Sequence, residues 1–202
     1  MDFDVLIIGG GAAGLSCALL LGSAKEKSYA LNKNVGILLH QKASHLQSAI
    51  INNALGIPAG TSGGVILKEG AVQLKDLYPQ VQQITGEKVK MISSAEGGFL
   101  ITTNKNSYTA QKVVIAVGYS ELLTIQDLEP YIIPHKKSPA HKNRIQLRNE
   151  DHLVKENMYV AGSLAGHRSQ YAIACGSGAC VATDILTSWN NGEHSVVHDK
   201  LK

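Results

Sequence analysis

The feature that most constrains this chain is a run of glycines directly after a short apolar segment near the amino terminus. Residues 5–8 read Val-Leu-Ile-Ile, an uninterrupted apolar run typical of a parallel strand buried on both faces. The glycines follow at once with the spacing Gly-x-Gly-x-x-Gly, at Gly9, Gly11 and Gly14. Small and aliphatic residues then continue to Leu21 and predict a helix. A strand, a glycine turn and a helix in this order predict alternating strands and helices.

The spacing of these glycines has a specific chemical meaning. The first glycine permits a tight turn, the second lets a pyrophosphate approach the backbone, and the third lets the helix pack closely on the strand. Ala12 and Ala13 lie in the same turn, where the first N–H groups of the helix and its dipole attract phosphate. The turn therefore predicts a dinucleotide site, and a turn that serves packing alone is the alternative.

The second strand of this unit ends without the carboxylate that such sites often carry. Residues 35–39 read Val-Gly-Ile-Leu-Leu and predict the strand, and His40, Gln41 and Lys42 follow it. An acidic residue at this point would bond the ribose hydroxyls of a dinucleotide. His40 or Gln41 can bond a ribose more weakly, because neither is an anion. Lys42 would tolerate a phosphate, so NADP stays open as an alternative ligand of this unit.

The rest of the chain alternates apolar segments with turns and polar stretches. Apolar runs bounded by turn residues predict further strands at 89–93, 99–103, 108–109, 113–117 and 158–161, and helices at 65–78 and 168–189. The segment 119–156 is polar and contains proline. Because no repeat and no low-complexity linker interrupts the chain, we expect one domain over residues 1–202.

Composition and charge argue against several classes of protein. A hydrophobic fraction of 44% over 202 residues is too high for a disordered chain, and no apolar run approaches the roughly 18 residues of a membrane span. A net charge of +3, scattered along the chain, gives no reason to expect nucleic acid as a partner. Three cysteines are too few for a disulfide scaffold, and the acidic start Met-Asp-Phe-Asp is unlike a signal peptide. We therefore expect a cytoplasmic protein with no membrane partner.

Four stretches carry a resemblance to a known family. They are the glycine turn with its flanks (4–15), the loop Asn53-Ala-Leu-Gly-Ile-Pro58 with the glycines up to 64, the strand region 108–118 ending Val-Val-Ile-Ala-Val-Gly, and the closing stretch 157–163 with 168–174. In this order they resemble the FAD-binding half of thioredoxin reductases and related flavin disulfide reductases. The resemblance implies an α/β fold, a Rossmann-like three-layer FAD-binding domain with a parallel central sheet and a small antiparallel β-meander.

The resemblance also implies how FAD would lie along the chain. It places the pyrophosphate at the glycine turn, the adenosine near residues 40–42 with the backbone of Val89 beside the adenine, and the ribityl chain at Ser163. The pyrimidine edge of the flavin would face the start of the last helix, where Arg168 and the helix dipole stabilise negative charge. The predicted cofactor-binding residues are Gly9, Gly11, Ala12, Ala13, Gly14, His40, Gln41, Lys42, Asn53, Val89, Ala116, Gly118, Gly162, Ser163, Arg168, Ser169, Gln170 and Tyr171.

The chain also departs from the family pattern. The family carries a nicotinamide-binding domain between its third and fourth stretches, but here only residues 119–161 separate Gly118 from Gly162. A separate domain needs on the order of 100 residues, and this segment has neither a second Gly-x-Gly-x-x-Gly nor a Cys-x-x-Cys. Ser163 replaces the family's Asp, and Val117 replaces its Thr. We therefore expect the flavin to be reduced by an external nucleotide or partner.

The cysteines and histidines suggest no second redox or metal centre. Cys175 and Cys180 are five residues apart, which turns them about 140° from each other on one helix, so we expect no disulfide between them. Cys17 is predicted to lie in the core. His167 precedes the last helix and is interpreted as a loop residue, with proton donation as the alternative. No histidine or cysteine spacing predicts a metal site.

Three functions remain open from the sequence. The leading hypothesis is an FAD-dependent oxidoreductase that exchanges electrons with a small-molecule or protein donor and acceptor. The second is a non-catalytic FAD-binding sensor or interaction module, and the third is an NAD(P)-binding protein that uses the amino-terminal unit alone. Relatives of the family are commonly dimers, so a homodimer is expected by analogy.

Overall fold

Five parallel strands form the middle of the structure, a computed structural model that describes residues 1–41, 44–118 and 123–197. The strands are β1 (Phe3–Ile8), β2 (Val35–Leu39), β3 (Ile50–Ile51), β4 (Thr61–Ser62), β5 (Gln82–Thr85), β6 (Val89–Ala95), β7 (Gly98–Thr103), β8 (Ser107–Ile115), β9 (Ile132–Pro134), β10 (Ile145–Leu147), β11 (Leu153–Lys155) and β12 (Met158–Val160). The helices are α1 (Ala12–Ser23), α2 (Gly63–Leu77) and α3 (Tyr171–Trp189).

The sheet has the strand order β11-β12-β8-β1-β2-β5, and β1 lies at its centre. Strand β1 pairs in parallel with β2, where Val5 opposes Val35, and with β8, where Ile7 opposes Val114. The first residues of β8 pair with β7, and β7 pairs with β6, in an antiparallel β-meander. The predicted α/β fold with a parallel central sheet and a small meander is confirmed.

Both faces of the sheet are covered by other parts of the chain. Successive residues of β1 point to opposite faces and so enter two different cores. Val5 and Ile7 belong to the apolar core shared with α1 and α3, whereas Leu6 and Ile8 belong to a second core shared with the meander. All four side chains are at most 2% exposed. The molecule therefore has three layers, with helices on one face of the sheet and the meander on the other.

Helices α1 and α3 pack against each other over the first of these cores. An added Cβ at Gly178 of α3 would collide with the carbonyl oxygen of Ala13 in α1, so a glycine is needed for this close approach. Cys17 of α1 is fully buried, as predicted for a core residue. This packing brings the amino termini of the two helices to the same edge of the sheet.

The structure corrects two sequence predictions about element boundaries and adds a strand that the sequence does not predict. The two strands predicted at 108–109 and 113–117 are one strand, β8, because the same residues pair with the meander first and with β1 afterwards. The last helix begins at Tyr171 and not at Arg168, because Gln170 is extended and its N–H bonds the Arg168 carbonyl in a turn. Strand β5 was not predicted, since its sequence Gln-Gln-Ile-Thr is mostly polar at the sheet edge.

The lengths and the composition of the helices show whether any of them could span a membrane. Among the described residues, no helix combines the length and the apolar character that crossing a bilayer requires.

Candidate functional site

Two adjoining cavities lie at the carboxyl ends of the parallel strands. The larger has a volume of about 390 Å³ and the smaller about 220 Å³. The chain segments that follow β1, β2 and β8 line both cavities, and the segment after β12 lines the larger. Both cavities are bordered by Gly9, His40, His45, Val117 and Gly118. Open α/β sheets bind ligands at this edge, and the larger volume suits a small molecule.

The glycine turn forms the floor of the larger cavity. Gly9 has φ +114°, a conformation that side chains rarely allow, and a Cβ at Gly14 would collide with the Gly9 carbonyl oxygen. At Gly11, by contrast, a Cβ would meet only the Ser44 hydroxyl oxygen at 3.7 Å. The turn is therefore closed on the protein side and open on the cavity side, where a ligand can approach the backbone.

Two helices begin at the larger cavity without a side chain to cap them. The N-cap residues Gly11 of α1 and Gln170 of α3 make no capping side-chain hydrogen bond, and neither helix has an acidic residue in its first turn. Helix α2 begins differently, because the Ser62 hydroxyl accepts a hydrogen bond from the Val65 N–H. The first N–H groups of α1 and α3 thus lack such a cap, and uncapped helix starts favour anions.

The charges around the cavities also favour an anionic ligand. Among the described residues that line the larger cavity there is no Asp or Glu, while Arg168 supplies a positive charge. Glu87 lines the smaller cavity, but its carboxylate accepts hydrogen bonds from Thr103 Oγ1 at 2.6 Å, Asn106 Nδ2 at 2.8 Å and Tyr108 Oη at 2.9 Å. The Thr103 bond lowers the pKa of Glu87 most, and the other two act in the same direction. This carboxylate therefore holds the meander together.

The turn that closes the larger cavity is positioned by a chain of side chains. The Gly162 N–H donates to the buried Ser177 Oγ at 2.8 Å, and His152 Nε2 lies 3.0 Å from the same oxygen. His167 Nε2 in turn lies 3.0 Å from His152 Nε2. Burial lowers the pKa of both histidines, and His152 further lowers that of His167. Two charged imidazoles at this distance would repel, so the pair favours at most one positive charge.

The sequence analysis interprets His167 as a loop residue. The structure shows that this histidine also contacts another side chain. It lies in the loop before α3 and contacts His152, a residue that the sequence analysis did not single out. The two residues are 15 positions apart, so no local motif could have connected them.

Tyr171 and Cys175 lie one turn apart at the start of α3. Burial, together with a hydrogen bond to the Cys175 side chain, raises the pKa of Tyr171 to about 12. The phenol at the cavity wall is therefore neutral at ordinary pH and keeps its proton. Cys175 is half-buried, Cys180 is exposed, and both are free thiols.

Most of the residues predicted to bind a cofactor line one of the two cavities. Those on the larger or on both are Gly9, Gly11, Ala12, Ala13, His40, Asn53, Ala116, Gly118, Gly162, Ser163, Arg168, Ser169, Gln170 and Tyr171, and Val89 lines the smaller. Their role in binding stays a prediction.

Three predicted residues are placed differently. Gly14 packs beneath the turn against Gly9. Gln41 turns its amide nitrogen towards the carbonyl oxygens of Gly10 and Leu67, at 3.0 and 3.1 Å, and does not line either cavity. Its amide thus fixes the end of β2 to the glycine turn and to α2. Lys42 lies outside the described residues.

Sequence reasoning missed one wall of the larger cavity. This wall follows β2 and consists of Ser44, His45, Leu46, Ala49, Ile50 and Ile51. The segment has no glycine motif and mixes polar with apolar residues, so its pattern carries no signal for a ligand. In the part of the chain that the structure describes, no three His, Cys, Asp or Glu side chains converge as metal ligands.

Comparison with known proteins gives the following matches. Residues 3–179 match the family model described as pyridine nucleotide-disulphide oxidoreductase. A thioredoxin reductase of Treponema pallidum (strain Nichols) is 32% identical over 118 residues, and a ferredoxin–NADP reductase of Lactococcus lactis subsp. lactis (strain IL1403) is 30% identical over 122 residues. Each match covers 58% of this chain but only 36% and 35% of the two relatives. The chain thus spans about a third of the length of the curated relatives that it matches.

A solved structure with a similar fold agrees with the architecture. A thioredoxin reductase from Gloeobacter violaceus superposes with a TM-score of 0.72 at 13% identity, over 100% of this chain and 99% of that chain. At this level of identity the likeness shows the fold, a parallel sheet between helices and a meander.

Proposed function

We propose that this chain, which belongs to the pyridine nucleotide-disulphide oxidoreductase family, binds FAD at the carboxyl edge of its sheet and serves as a flavin-dependent oxidoreductase. The observation that carries the proposal is the pair of uncapped helix starts, α1 and α3, on one cavity that no described Asp or Glu lines. FAD is elongated, with its phosphates in the middle and its flavin at one end. It would therefore present negative charge at two separate points, one for each helix start.

The glycine turn suits the pyrophosphate of the cofactor. The cavity side of Gly11 is open, and the N–H groups of Ala12 and Ala13 lie in the first turn of α1, where no side chain caps them. Backbone donors of this kind bind phosphate without needing a basic side chain. This end of the site therefore needs no lysine or arginine.

The smaller cavity suits the adenosine. His40 lies between the two cavities, and Val89 lines the smaller one beside Ile125. Apolar side chains from the meander side can cover the adenine, and His40 can bond the ribose in place of the missing carboxylate. Lys42, the other candidate at this end, lies outside the described residues.

The far end of the larger cavity suits the flavin. Ser163 lines this end of the cavity and would meet the ribityl chain, and Arg168, Ser169, Gln170 and Tyr171 line it around the start of α3. The bound flavin would supply two-electron chemistry, which the protein side chains cannot provide. The uncapped start of α3 and the Arg168 charge would stabilise the negative charge that reduction leaves on the pyrimidine edge.

The source of electrons would be external to this segment of the chain. Between the two cavity segments at Gly118 and Gly162, the described residues 123–161 form short strands and turns, of which the longest strand has three residues. A nicotinamide-binding unit of alternating strands and helices does not fit in that length. A diffusing nicotinamide nucleotide or a partner protein would therefore reduce the flavin.

The test of the proposal is the spectrum and the FAD affinity of the purified protein. We expect a yellow protein with flavin absorption, or a colourless one that takes up added FAD at one equivalent in a calorimetric titration. A colourless protein that binds no FAD but binds NADP would favour the alternative of a nicotinamide-binding unit.

Reduction of the bound flavin separates an enzyme from a non-catalytic FAD module. Under anaerobic conditions, NADH, NADPH and a chemically reduced electron-carrier protein would each be added to the FAD-loaded chain. Bleaching by any of them at a rate that saturates with donor concentration supports an oxidoreductase. Bleaching by dithionite alone would support the sensor or interaction module.

A further inference from the structure

A strongly basic hairpin stands beside the larger cavity. Strands β9 and β10 pair antiparallel, with Ile145 opposite Pro134, and enclose the loop 135–144. Residues 130–149, here called the basic hairpin, contain five Lys and Arg residues and no Asp or Glu, although the whole chain nets only +3. The rest of the chain therefore carries a small net negative charge, and Glu129 and Glu150 flank the basic hairpin.

Four of the five positive side chains of the basic hairpin are exposed to solvent, while Arg144 is half-buried. Lys136, Lys137, Lys142 and Arg148 are exposed, and within residues 1–41, 44–118 and 123–197 none of them forms an ion pair. Their backbones hold the hairpin instead: the Lys136 N–H donates to Gln146 Oε1 at 2.9 Å, and the Arg148 N–H to the Tyr131 carbonyl at 2.7 Å. No ion pair within the described residues therefore neutralises these four charges.

The opposite side of the basic hairpin contacts the wall of the larger cavity. His135 is buried, and its Nε2 lies 3.2 Å from the carbonyl oxygen of Ser163, a residue that lines this cavity. Gln146 packs against Gly166 just beyond. The charge of Lys137 also acts on His167, the residue before the cavity-lining Arg168, because it lowers the pKa of this histidine after burial and His152.

The arrangement of these charges indicates the kind of partner. A small anion would need a charged side chain that is buried and converges with others, whereas these four side chains are exposed and spread along the hairpin. A nucleic acid would extend past the hairpin onto the net negative remainder of the chain. A compact protein with an acidic face would meet the hairpin alone, and such charge pairs accelerate and orient association.

We propose that the basic hairpin is the docking surface for an acidic electron-carrier protein, seated beside the Ser163 wall of the larger cavity. The redox role of the partner rests on the proposed function, while the docking rests on the hairpin itself. A partner on the outer face of the hairpin would be separated from the cavity wall only by the hairpin itself. On the inner face of the hairpin, His135 already contacts Ser163 of that wall.

Calorimetric binding at two salt concentrations tests the docking surface. The probes are a plant-type [2Fe–2S] ferredoxin and a flavodoxin, both strongly acidic, at about 20 mM and about 300 mM NaCl. We expect at least one to bind, with an affinity that falls about tenfold or more at the higher salt. The double variant Lys136→Glu and Lys142→Glu should weaken binding at low salt by about tenfold or more.

A matched control changes the same charge elsewhere. Lys27 lies in the turn after α1 and Lys75 in the last turn of α2, and both are exposed and line neither cavity. The double variant Lys27→Glu and Lys75→Glu should keep affinity within about twofold. Circular dichroism and melting temperature would show that both double variants fold alike.

Several outcomes would overturn the docking surface. These are no salt-dependent binding of either acidic probe, equal weakening by the two double variants, or a hairpin-dependent preference for NADPH or for a single-stranded oligonucleotide over both proteins. Because calorimetry needs no flavin, the docking is decided even if the protein fails to bind FAD. The two proposals therefore fail separately.

Discussion

The starts of α1 and α3 face the same cavity, but the chain positions them in different ways. The start of α1 is set within six residues, by the glycine turn from Gly9 to Gly14. The start of α3 is set by residues far apart in the sequence, since Ser177 holds Gly162, and His152 holds Ser177. One helix start is thus determined by local backbone geometry and the other by long-range side-chain contacts.

This difference has consequences for how each end responds to change. The α1 end contains no titratable group in its turn, so it should be insensitive to pH but intolerant of side chains on its cavity side. The α3 end, by contrast, is supported by paired imidazoles, whose charge depends on pH. Substitutions at the two ends should therefore produce different kinds of effect.

The largest effect is expected at the α1 end, from Gly11→Glu. The glutamate would place a carboxylate where the turn is open to the cavity, and its charge and volume would exclude a pyrophosphate. We expect FAD affinity to fall by about 100-fold or more, which corresponds to at least about 2.7 kcal/mol. Fluorescence titration with FAD measures this loss. The melting temperature should change little, because the new side chain points away from the protein.

Gly11→Ala is the matched control for this substitution. Its methyl group has room, since the nearest atom would be Ser44 Oγ at 3.7 Å, and φ at this position is −78°. The alanine variant should keep its fold and bind FAD more weakly than the native chain but far better than the glutamate variant. Stoichiometric FAD in the glutamate variant would mean that the glycine turn is not the phosphate site.

The same contrast explains how much of the structure could be predicted from the sequence. The glycine turn, β1 and α1 follow from local residue pattern, because turn geometry and burial on both faces restrict which residues can occupy them. The closing turn was placed only by resemblance, and its supporting contact between His152 and His167 was not foreseen. Long-range side-chain contacts leave no periodicity in a single sequence, and the basic hairpin likewise became a surface only when β9 and β10 paired.

The second largest effect is expected at the α3 end, from Ser177→Ala. Ser177 is 5% exposed, and removing its hydroxyl leaves the buried Gly162 N–H without its acceptor. A lost buried partner costs about 1–3 kcal/mol. Each kcal/mol lowers the melting temperature of a domain of this size by roughly 2–4 °C. Differential scanning calorimetry measures the shift.

The control for the serine substitution lies on the same helix. Ser188 of α3 is exposed, and its hydroxyl donates to the Ile185 carbonyl at 2.7 Å. Ser188→Ala should change the stability by less than about 0.5 kcal/mol. If the two alanine variants melt alike, Ser177 does not hold the closing turn.

A third prediction concerns the pH dependence of stability. Burial lowers the pKa of His152 and His167 in the folded protein below the ordinary value of 6.5. The unfolded chain therefore binds more protons, and the folded state should lose stability as the pH falls through 6.5 towards the lowered pKa values. The ionisable groups that face this pair are Asp151 and Asp184 near His152, and Lys137 and His135 near His167.

The variant that tests this pH dependence is His152→Asn. His152 has φ +73°, a left-handed conformation that asparagine adopts more readily than most residues. The melting temperature of this variant should fall less steeply between about pH 7.5 and 5.5 than that of the native chain. His141→Asn, on an exposed histidine of the basic hairpin, should leave the slope unchanged. Equal slopes in all three proteins would exclude the histidine pair as the source.

The smallest effect is expected from Arg168→Gln at the α3 end. Arg168 is exposed, so the loss of its charge should cost the reduced flavin only about 0.2–1 kcal/mol. For a two-electron couple this lowers the midpoint potential by about 5–20 mV. Spectroelectrochemical titration of the FAD-loaded protein measures the shift, which should shrink at high salt because exposed charges are screened. Lys75→Gln removes an equal charge at the far end of α2 and should leave the potential unchanged, so equal shifts in both variants would mean that Arg168 does not act on the flavin.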